Sequence, residues 1–325
     1  MSAVPQATSP EALAIVGPTA SGKTALALDV AESLGGEIIS MDSRQVYRGL
    51  DIATAKATPR QRAAAPHHGL DLLDPGERFG AGRFARYARE KIAEIKGRGR
   101  VPLLVGGTGF FLRALTHPIF REPEHDPEQR SAVRAFLTRL DIGLLIRWLR
   151  ALDPASAERL THGGGVQRMQ RALEIALLTG RPLSWWQRNG PPEAEPLRPL
   201  IFVLDPPREL LAAAIDARVD EMVGAGLVEA LRGLAEAGWR DGDPGMNATG
   251  YPELLWYLHG ELPLDAALDR IRANTRAYAR RQRTWFRHQL PPGAVWLDAS
   301  RPRNDLSEDI TSLWHRMHPD GRGLD

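Results

Sequence analysis

Gly17, Pro18, Thr19, Ala20, Ser21, Gly22, Lys23 and Thr24 spell GxxxxGK[ST] between the apolar run Leu13-Ala14-Ile15-Val16 and a helical pattern that starts at Ala25. Strand, glycine loop and helix in that order make an anion site. The loop N–H groups turn inward around a phosphate, and the new helix points its partial positive end at the same spot. In such a loop Lys23 reaches a terminal phosphate as a point charge, and the Thr24 hydroxyl is a ligand of Mg²⁺ that bridges phosphate oxygens. A plain Gly/Ser surface turn is the alternative, and the complete spacing between a strand and a helix argues against it. The loop itself does not choose between a nucleotide such as ATP and another diphosphate.

Other side chains with chemical capacity lie further along. Asp42, in Ser40-Met41-Asp42-Ser43-Arg44-Gln45-Val46-Tyr47, follows a second strand-like run. A carboxylate there either helps hold Mg²⁺, acts as a general base toward an approaching nucleophile, or closes an Asx turn. Arg208, Asp216 and Arg218 fall on one helical segment. They are solvated charges by default, but an arginine aimed at a departing diphosphate would relieve the charge that develops there.

Arg272, Arg276, Arg280, Arg283 and Arg287 recur at spacings of four, four, three and four, which places them on one helical face. Arg270 and Arg281 add charge, and Tyr278, Trp285 and Phe286 are interleaved, suited to stacking on bases or to packing in a core. Gln167-Arg168-Met169-Gln170-Arg171 is a second basic element. One such stripe is ordinarily a wet surface, whereas two beside a phosphate site point toward nucleic acid. The nine histidines include the pair His67-His68, and none has the spacing of a zinc site.

These residues need a scaffold that brings distant loops together. Short apolar runs alternate with helical patterns over the first hundred or so residues, the signature of an α/β fold with a parallel sheet flanked by helices, of the P-loop NTPase-like kind. Strands are expected at Leu13–Val16, Glu37–Ser40, less clearly Leu70–Leu73, and Val101–Val105, the last running into Gly106-Gly107-Thr108-Gly109 and a helix. From about Pro118 only helices follow: Pro127–Leu140, Gly143–Ala151, Pro154–Thr161 and Val166–Thr179. A proline-dense connection leads to a resumed strand at Leu200–Leu204, helices at Pro207–Val223, Leu227–Ala237, Tyr251–His259 and Leu264–Gln289, a strand at Ala294–Leu297, and a helix near Leu306–Met317. The expected organisation is a discontinuous core over 11–118 and 199–318, an inserted all-helical module over 119–198, and short flexible tails at 1–10 and 319–325. Ligands of such sheets bind beyond the carboxyl ends of the strands, where the loops holding Lys23, Asp42 and Thr108 converge.

Composition narrows the class. Across 325 residues the formal charge is only +2, but the basic side is nearly all arginine, since Lys23, Lys56, Lys91 and Lys96 are the only lysines. That preference suits phosphate recognition or simply reflects genomic base composition. No run is long enough to span a membrane, the first residues lack a charged and apolar leader, and cysteine is absent, so a cytoplasmic protein without disulfides or thiolate metal sites is expected.

The phosphate loop, the DSRQVY stretch, GGTG after a buried strand, QRMQRALE and RRQRTWFR occur here in one order. From about Leu13 to Leu297 the chain resembles the bacterial tRNA dimethylallyltransferases, or isopentenyltransferases. The resemblance implies that the loop grips dimethylallyl diphosphate with Mg²⁺, and that the prenyl group moves to N6 of the adenosine 3′-adjacent to the anticodon in tRNAs reading U-starting codons. It implies Gly17 to Thr24 for the diphosphate, Lys23, Thr24 and Arg218 at the leaving group, Asp42 as base, and Thr108 beside it. For the tRNA anticodon stem-loop it implies Asp42, Ser43, Arg44, Gln45, Thr108, Arg130, Gln167, Arg168, Met169, Gln170, Arg171, Arg280, Arg281 and Gln282, on a monomeric enzyme. Phe110-Phe111, His162-Gly163-Gly164-Gly165 and Tyr251-Pro252-Glu253 depart from the family pattern. The triple glycine loosens the approach to Gln167 and Arg168. A small-molecule kinase and a nucleotide-switched RNA-binding module are the competing readings.

Overall fold

The computed structural model describes residues 9–117, 119–161, 163 and 165–319. Most of both expected tails, and positions 118, 162 and 164, lie outside the described residues. The chain divides into two compact units, Met1–His117 with Pro196–Asp325, and Pro118–Glu195.

The first unit is built on a sheet of six parallel strands: β1 (Ala12–Val16), β2 (Glu37–Ser40), β3 (His67–His68), β4 (Pro102–Gly106), β5 (Pro199–Leu204) and β6 (Val295–Leu297), in the order β3-β2-β4-β1-β5-β6. Its helices are α1 (Lys23–Leu34), α2 (Asp51–Thr54), α3 (Pro59–Ala64), α4 (Ala81–Gly97) and α5 (Gly109–Thr116) before the second unit. Central strands covered on both faces must be apolar throughout. β1 and β4 are accordingly buried at every position. β1 runs between β4 and β5, with Val16 opposite Gly106 on one side and Val203 on the other. That register sets the phosphate loop, which leaves β1 at Val16, beside the turn that leaves β4 at Gly106. The α/β, P-loop-like fold expected from the sequence is the fold observed.

The weak strand expected at Leu70–Leu73 is displaced to His67–His68, which pair with Ile38 and Ile39. Gly69 at φ 82° and Asp71 at φ 55° turn the chain out of the sheet. Asp71 is held there by Lys56 at 2.5 Å and Arg62 at 2.9 Å. Leu73 keeps a single bridge, to Tyr47. Two short helices not anticipated, α2 and α3, lie between β2 and β3, and Thr58 with Gln61 forms a capping box on α3.

The second unit contains α6 (Pro127–Thr138), α7 (Ile142–Leu152), α8 (Pro154–Leu160), α9 (Val166–Thr179) and α10 (Leu183–Asn189). Its core joins Leu137, Leu145, Leu149, Met169 and Leu173. The proline-dense stretch was expected to be only a connection, yet it begins with α10. Asp153 explains the helix's anchorage: fully buried, it accepts the Ser156 N–H of α8 at 3.0 Å and the Ser184 N–H of α10 at 2.9 Å.

After β5 the first unit continues with α11 (Arg208–Gly224), α12 (Leu227–Glu236), α13 (Tyr251–Leu258), α14 (Leu264–Gln289) and, beyond β6, α15 (Arg303–Met317). The sheet core gathers Leu13, Ile15, Leu103 and Phe202 with Leu26 of α1 and Ile310 of α15. Truncating a fully buried aromatic there leaves a cavity and loses transfer energy together, so Phe202→Ala is expected to cost about 3–5 kcal/mol in urea unfolding. A loss below ~1 kcal/mol would mean that the sheet collapses around the gap.

Candidate active site at the carboxyl ends of the strands

One cavity of about 90 Å³ opens in the first unit where the loops after β1, β2 and β4 meet α11 and α14, and Thr19, Lys23, Thr24, Asp42, Arg218 and Gln282 are among its polar lining. Ala27, Ile38, Ala57 and Val105 line it with carbon. Lys23, Asp42 and Arg218, from three segments far apart in sequence, therefore deliver charge to one place.

The phosphate loop is shaped by unusual backbone. Ala20 sits at φ 61° and Gly22 at φ 85°, left-handed values that in alternation with right-handed ones turn successive N–H groups to one side. An alanine held at positive φ is strained, and such strain collects at binding sites. Gly22 then caps α1, whose first-turn N–H groups have no helical partners. Gly17 allows β5 to approach, since a Cβ there would lie 2.6 Å from the Leu204 carbonyl.

Lys23 folds back over the loop, donating to the Pro18 carbonyl at 2.5 Å. Burial and then the Arg218 charge, partly opposed by Asp42, bring its ammonium down to about 7. Arg218, on α11, is lowered by burial too, and the charge of Asp42 opposes that. Two cations thus face one carboxylate, which leaves the cavity positive and suited to an anion.

The Asx turn considered for Asp42 is present: its Oδ1 accepts the Arg44 N–H at 2.8 Å. The turn does not displace the chemical role, because it leaves Oδ2 and the remaining lone pairs for a proton or a metal. Thr108 accepts the Ser43 N–H at 3.1 Å, and its hydroxyl also hydrogen-bonds the Tyr278 phenol. Burial, then the nearby Asp42 charge, pushes Tyr278 up to about 12, so it remains a neutral phenol. Ser40 donates to Gln45 Oε1 at 2.8 Å, and Gln45 in turn donates to the carbonyls of Thr54 and Ala55.

The expected polynucleotide contacts separate into two groups. Arg280, Arg281, Gln167 and Arg168 are exposed. Arg44 is spent on the Pro244 carbonyl, and Gln282 is buried. In the second unit Met169 belongs to the core, Gln170 donates to the Leu137 carbonyl, and Arg130 and Arg171 are both paired with Glu122. The long arginine face of α14 is largely neutralised by its own chain: Arg272 pairs with Asp220, Arg276 with Asp216, and both Arg283 and Arg287 with Asp205. The side chains that reach the cavity come from the neighbouring stripe. Sequence patterning had left Tyr278 undecided between stacking and packing, and it gave Gln282 no contact inside the protein.

The family described as IPP transferase matches over residues 45–289, and the one described as isopentenyl transferase over residues 10–64. The chain belongs to the IPP transferase family. It is 42% identical to the tRNA dimethylallyltransferase of Geobacter metallireducens over 93% of this chain and 96% of that one. Among solved structures, the full-length tRNA isopentenylpyrophosphate transferase of Bacillus halodurans is 36% identical, with a TM-score of 0.70 over 97% of this chain and 99% of that chain. A eukaryotic dimethylallyltransferase described as acting on tRNA gives a TM-score of 0.78 at 27% identity over 94% of this chain and 77% of that chain.

Lys23 carries a pH signature. Its folded-state value lies below the ordinary 10.5, so unfolded chains hold more protons between about 7 and 10.5, and this residue makes stability rise with pH across that window. A bound diphosphate favours the charged form. Calorimetry of inorganic diphosphate binding at about pH 8, in buffers of differing ionisation enthalpy, should therefore show proton uptake larger by up to about one proton in the wild type than in Lys23→Met. Equal uptake in the two proteins would remove Lys23 from the anion site.

Proposed function

We propose that this chain transfers the dimethylallyl group of dimethylallyl diphosphate to N6 of the adenosine 3′-adjacent to the anticodon in tRNAs that read U-starting codons. The observation that carries the reading is that Asp42, Lys23 and Arg218 line one cavity and act on each other electrostatically, within a chain of the IPP transferase family. A base and a leaving-group clamp held together in one small space are what displacement at a prenyl carbon requires.

The step balances simply. The N6 lone pair forms a bond to C1 of the prenyl group, the C1–O bond breaks with its electron pair leaving on diphosphate, and the N6 proton passes to Asp42. Thr108 and Tyr278 border the carboxylate and the incoming base. Lys23, Arg218 and the N–H groups of Ala20 to Thr24 receive the charge that grows on the diphosphate, in a site where those dipoles are already oriented. The carbon-lined part of the cavity holds the prenyl chain away from water.

Mg²⁺ fits the donors present. It prefers hard oxygen ligands, keeps several waters, and needs only one or two protein groups beside substrate phosphates. The Thr24 hydroxyl lines the cavity beside Lys23 and is such a group. Bound there with the diphosphate, Mg²⁺ would neutralise part of the leaving-group charge.

The adenine must leave the anticodon stack to reach Asp42. Arg280 and Arg281 on the first unit, and Gln167 and Arg168 on the second, are the exposed groups that meet the anticodon stem-loop. The enzyme works as a monomer in the cytoplasm. No helix among the described residues is long and apolar enough to cross a membrane.

Purified protein, unmodified tRNA, Mg²⁺ and labelled dimethylallyl diphosphate should give label in an anticodon-loop adenosine, and absence of label would refute the activity. Asp42→Ala should lower kcat by about 10²–10⁴ with tRNA affinity within about twofold, as expected for a general base that acts in the transition state. A variant that turns over normally would end the base assignment. Replacing Arg280 and Arg281 together by Ala should reduce the slope of log K against log salt for tRNA by about two, one released counterion for each lost phosphate contact. An unchanged slope would return both arginines to ordinary surface.

A further inference from the structure

Three side chains of α14 at spacings of four and three, Tyr278, Gln282 and Trp285, share one face. Tyr278 and Gln282 of that face line the cavity. Tyr278 meets Thr108, next to Asp42. Trp285 packs so closely on Gly109 that a Cβ there would lie 2.2 Å from its ring. Gln282, between them, bonds in two directions: its Oε1 accepts the Thr19 N–H of the phosphate loop at 2.9 Å, and its Nε2 donates to the Gly107 carbonyl at 2.9 Å. Only 7% of Gln282 is exposed. A Cβ on Gly107 would meet Nε2 at 2.3 Å, so the glycine is needed to admit this amide.

Two loops that belong to different strands are therefore pinned to one amide. The loop after β1 carries the leaving-group clamp. The turn after β4 carries Thr108, which fixes the Asp42 loop through the Ser43 N–H. We propose that Gln282 is a positioning residue for the transfer: by holding Thr19 and Gly107 at the two ends of one planar amide, it sets the distance between the diphosphate cradle and the base. Both ends matter chemically. A primary amide is one of the few neutral side chains that accept and donate at once, and a carboxylate could not face the Gly107 carbonyl without repulsion. A near-attack arrangement tolerates little misplacement, because an error near 1 Å costs about 10²-fold in rate.

The inference rests on the transfer reading, and the test separates the two. Gln282→Met keeps volume and removes both bonds. It should raise the Kd for inorganic diphosphate with Mg²⁺ by about tenfold and lower kcat by about 10²-fold, with tRNA affinity unchanged, as expected for lost positioning. Gln282→Glu adds a readout that a purely structural role would not move. Its carboxylate repels the Gly107 carbonyl and the ligand, whereas its protonated form restores both bonds. The ratio of Gln282→Glu to wild-type activity should therefore rise as pH falls from about 8 to about 6, since burial raises a carboxyl pKa. A Met variant with wild-type diphosphate affinity and kcat, or a Glu ratio flat with pH, overturns the positioning role. Diphosphate binding and label transfer by the wild type are measured alongside, so failure of the transfer reading itself registers separately.

Discussion

Two cationic side chains, Lys23 and Arg218, line one cavity with the carboxylate of Asp42, and much of the first unit answers to that arrangement. Burial pushes both groups toward their neutral forms, and for Lys23 the nearby Arg218 charge adds to that. Without ligand the cost is moderated rather than removed. Lys23 turns back to the Pro18 carbonyl, and Asp42 offsets the remainder. An anion with two or more negative charges satisfies the site better than any internal partner could. The same field suits the cavity to negative charge.

The outline of the fold was legible because its signals are local. β1, β2 and α9 follow apolar periodicity and flanking glycines, and their bounds come close to what spacing predicts. β3 was misplaced for a physical reason: Leu70 to Leu73 has the right composition, but the ion pairs of Lys56 and Arg62 with Asp71 impose a turn that periodicity does not encode. α10 was hidden among prolines because its anchorage is the buried Asp153, thirty-one residues earlier than Ser184. Of the candidate site, the loop and Asp42 could be found from motifs. Gln282 was named only as a tRNA contact, and its internal bonds could not be read, since its partners Thr19 and Gly107 lie 263 and 175 residues away.

The arginine stripe of α14 shows how a pattern can be right about geometry and incomplete about chemistry. Its members do share one face, but Asp205, Asp216 and Asp220 lie against it and absorb most of the charge. The stripe fastens α14 to the loop after β5 and to α11, and it thereby orients the adjacent face of Tyr278, Gln282 and Trp285. The glycines of Gly106-Gly107-Thr108-Gly109 take on a related meaning. They look like a second phosphate turn, yet each of the three makes room for a neighbour: Gly106 for the Met41 carbonyl, Gly107 for Gln282 and Gly109 for Trp285. The motif is a packing seam between β2, β4 and α14, and its chemical consequence is the placement of Thr108.

The second unit carries the same lesson about counting charge. Arg130, Arg134 and Arg171 converge on Glu122 and the buried Glu174, so three arginines and two carboxylates form a nearly self-cancelling cluster among helices α6 and α9. Breaking one partner of such a cluster would strand a buried charge, which ties these arginines to the stability of the module rather than to a free phosphate-binding surface. Of the expected polynucleotide contacts in this unit, Gln167 and Arg168 are the exposed ones, at the first turn of α9 beyond Gly165. A helix start already offers unpaired N–H groups and a partial positive charge. A cation placed there adds to that field instead of screening it, so a modest number of exposed side chains is enough to make this first turn attractive to a nucleic-acid backbone.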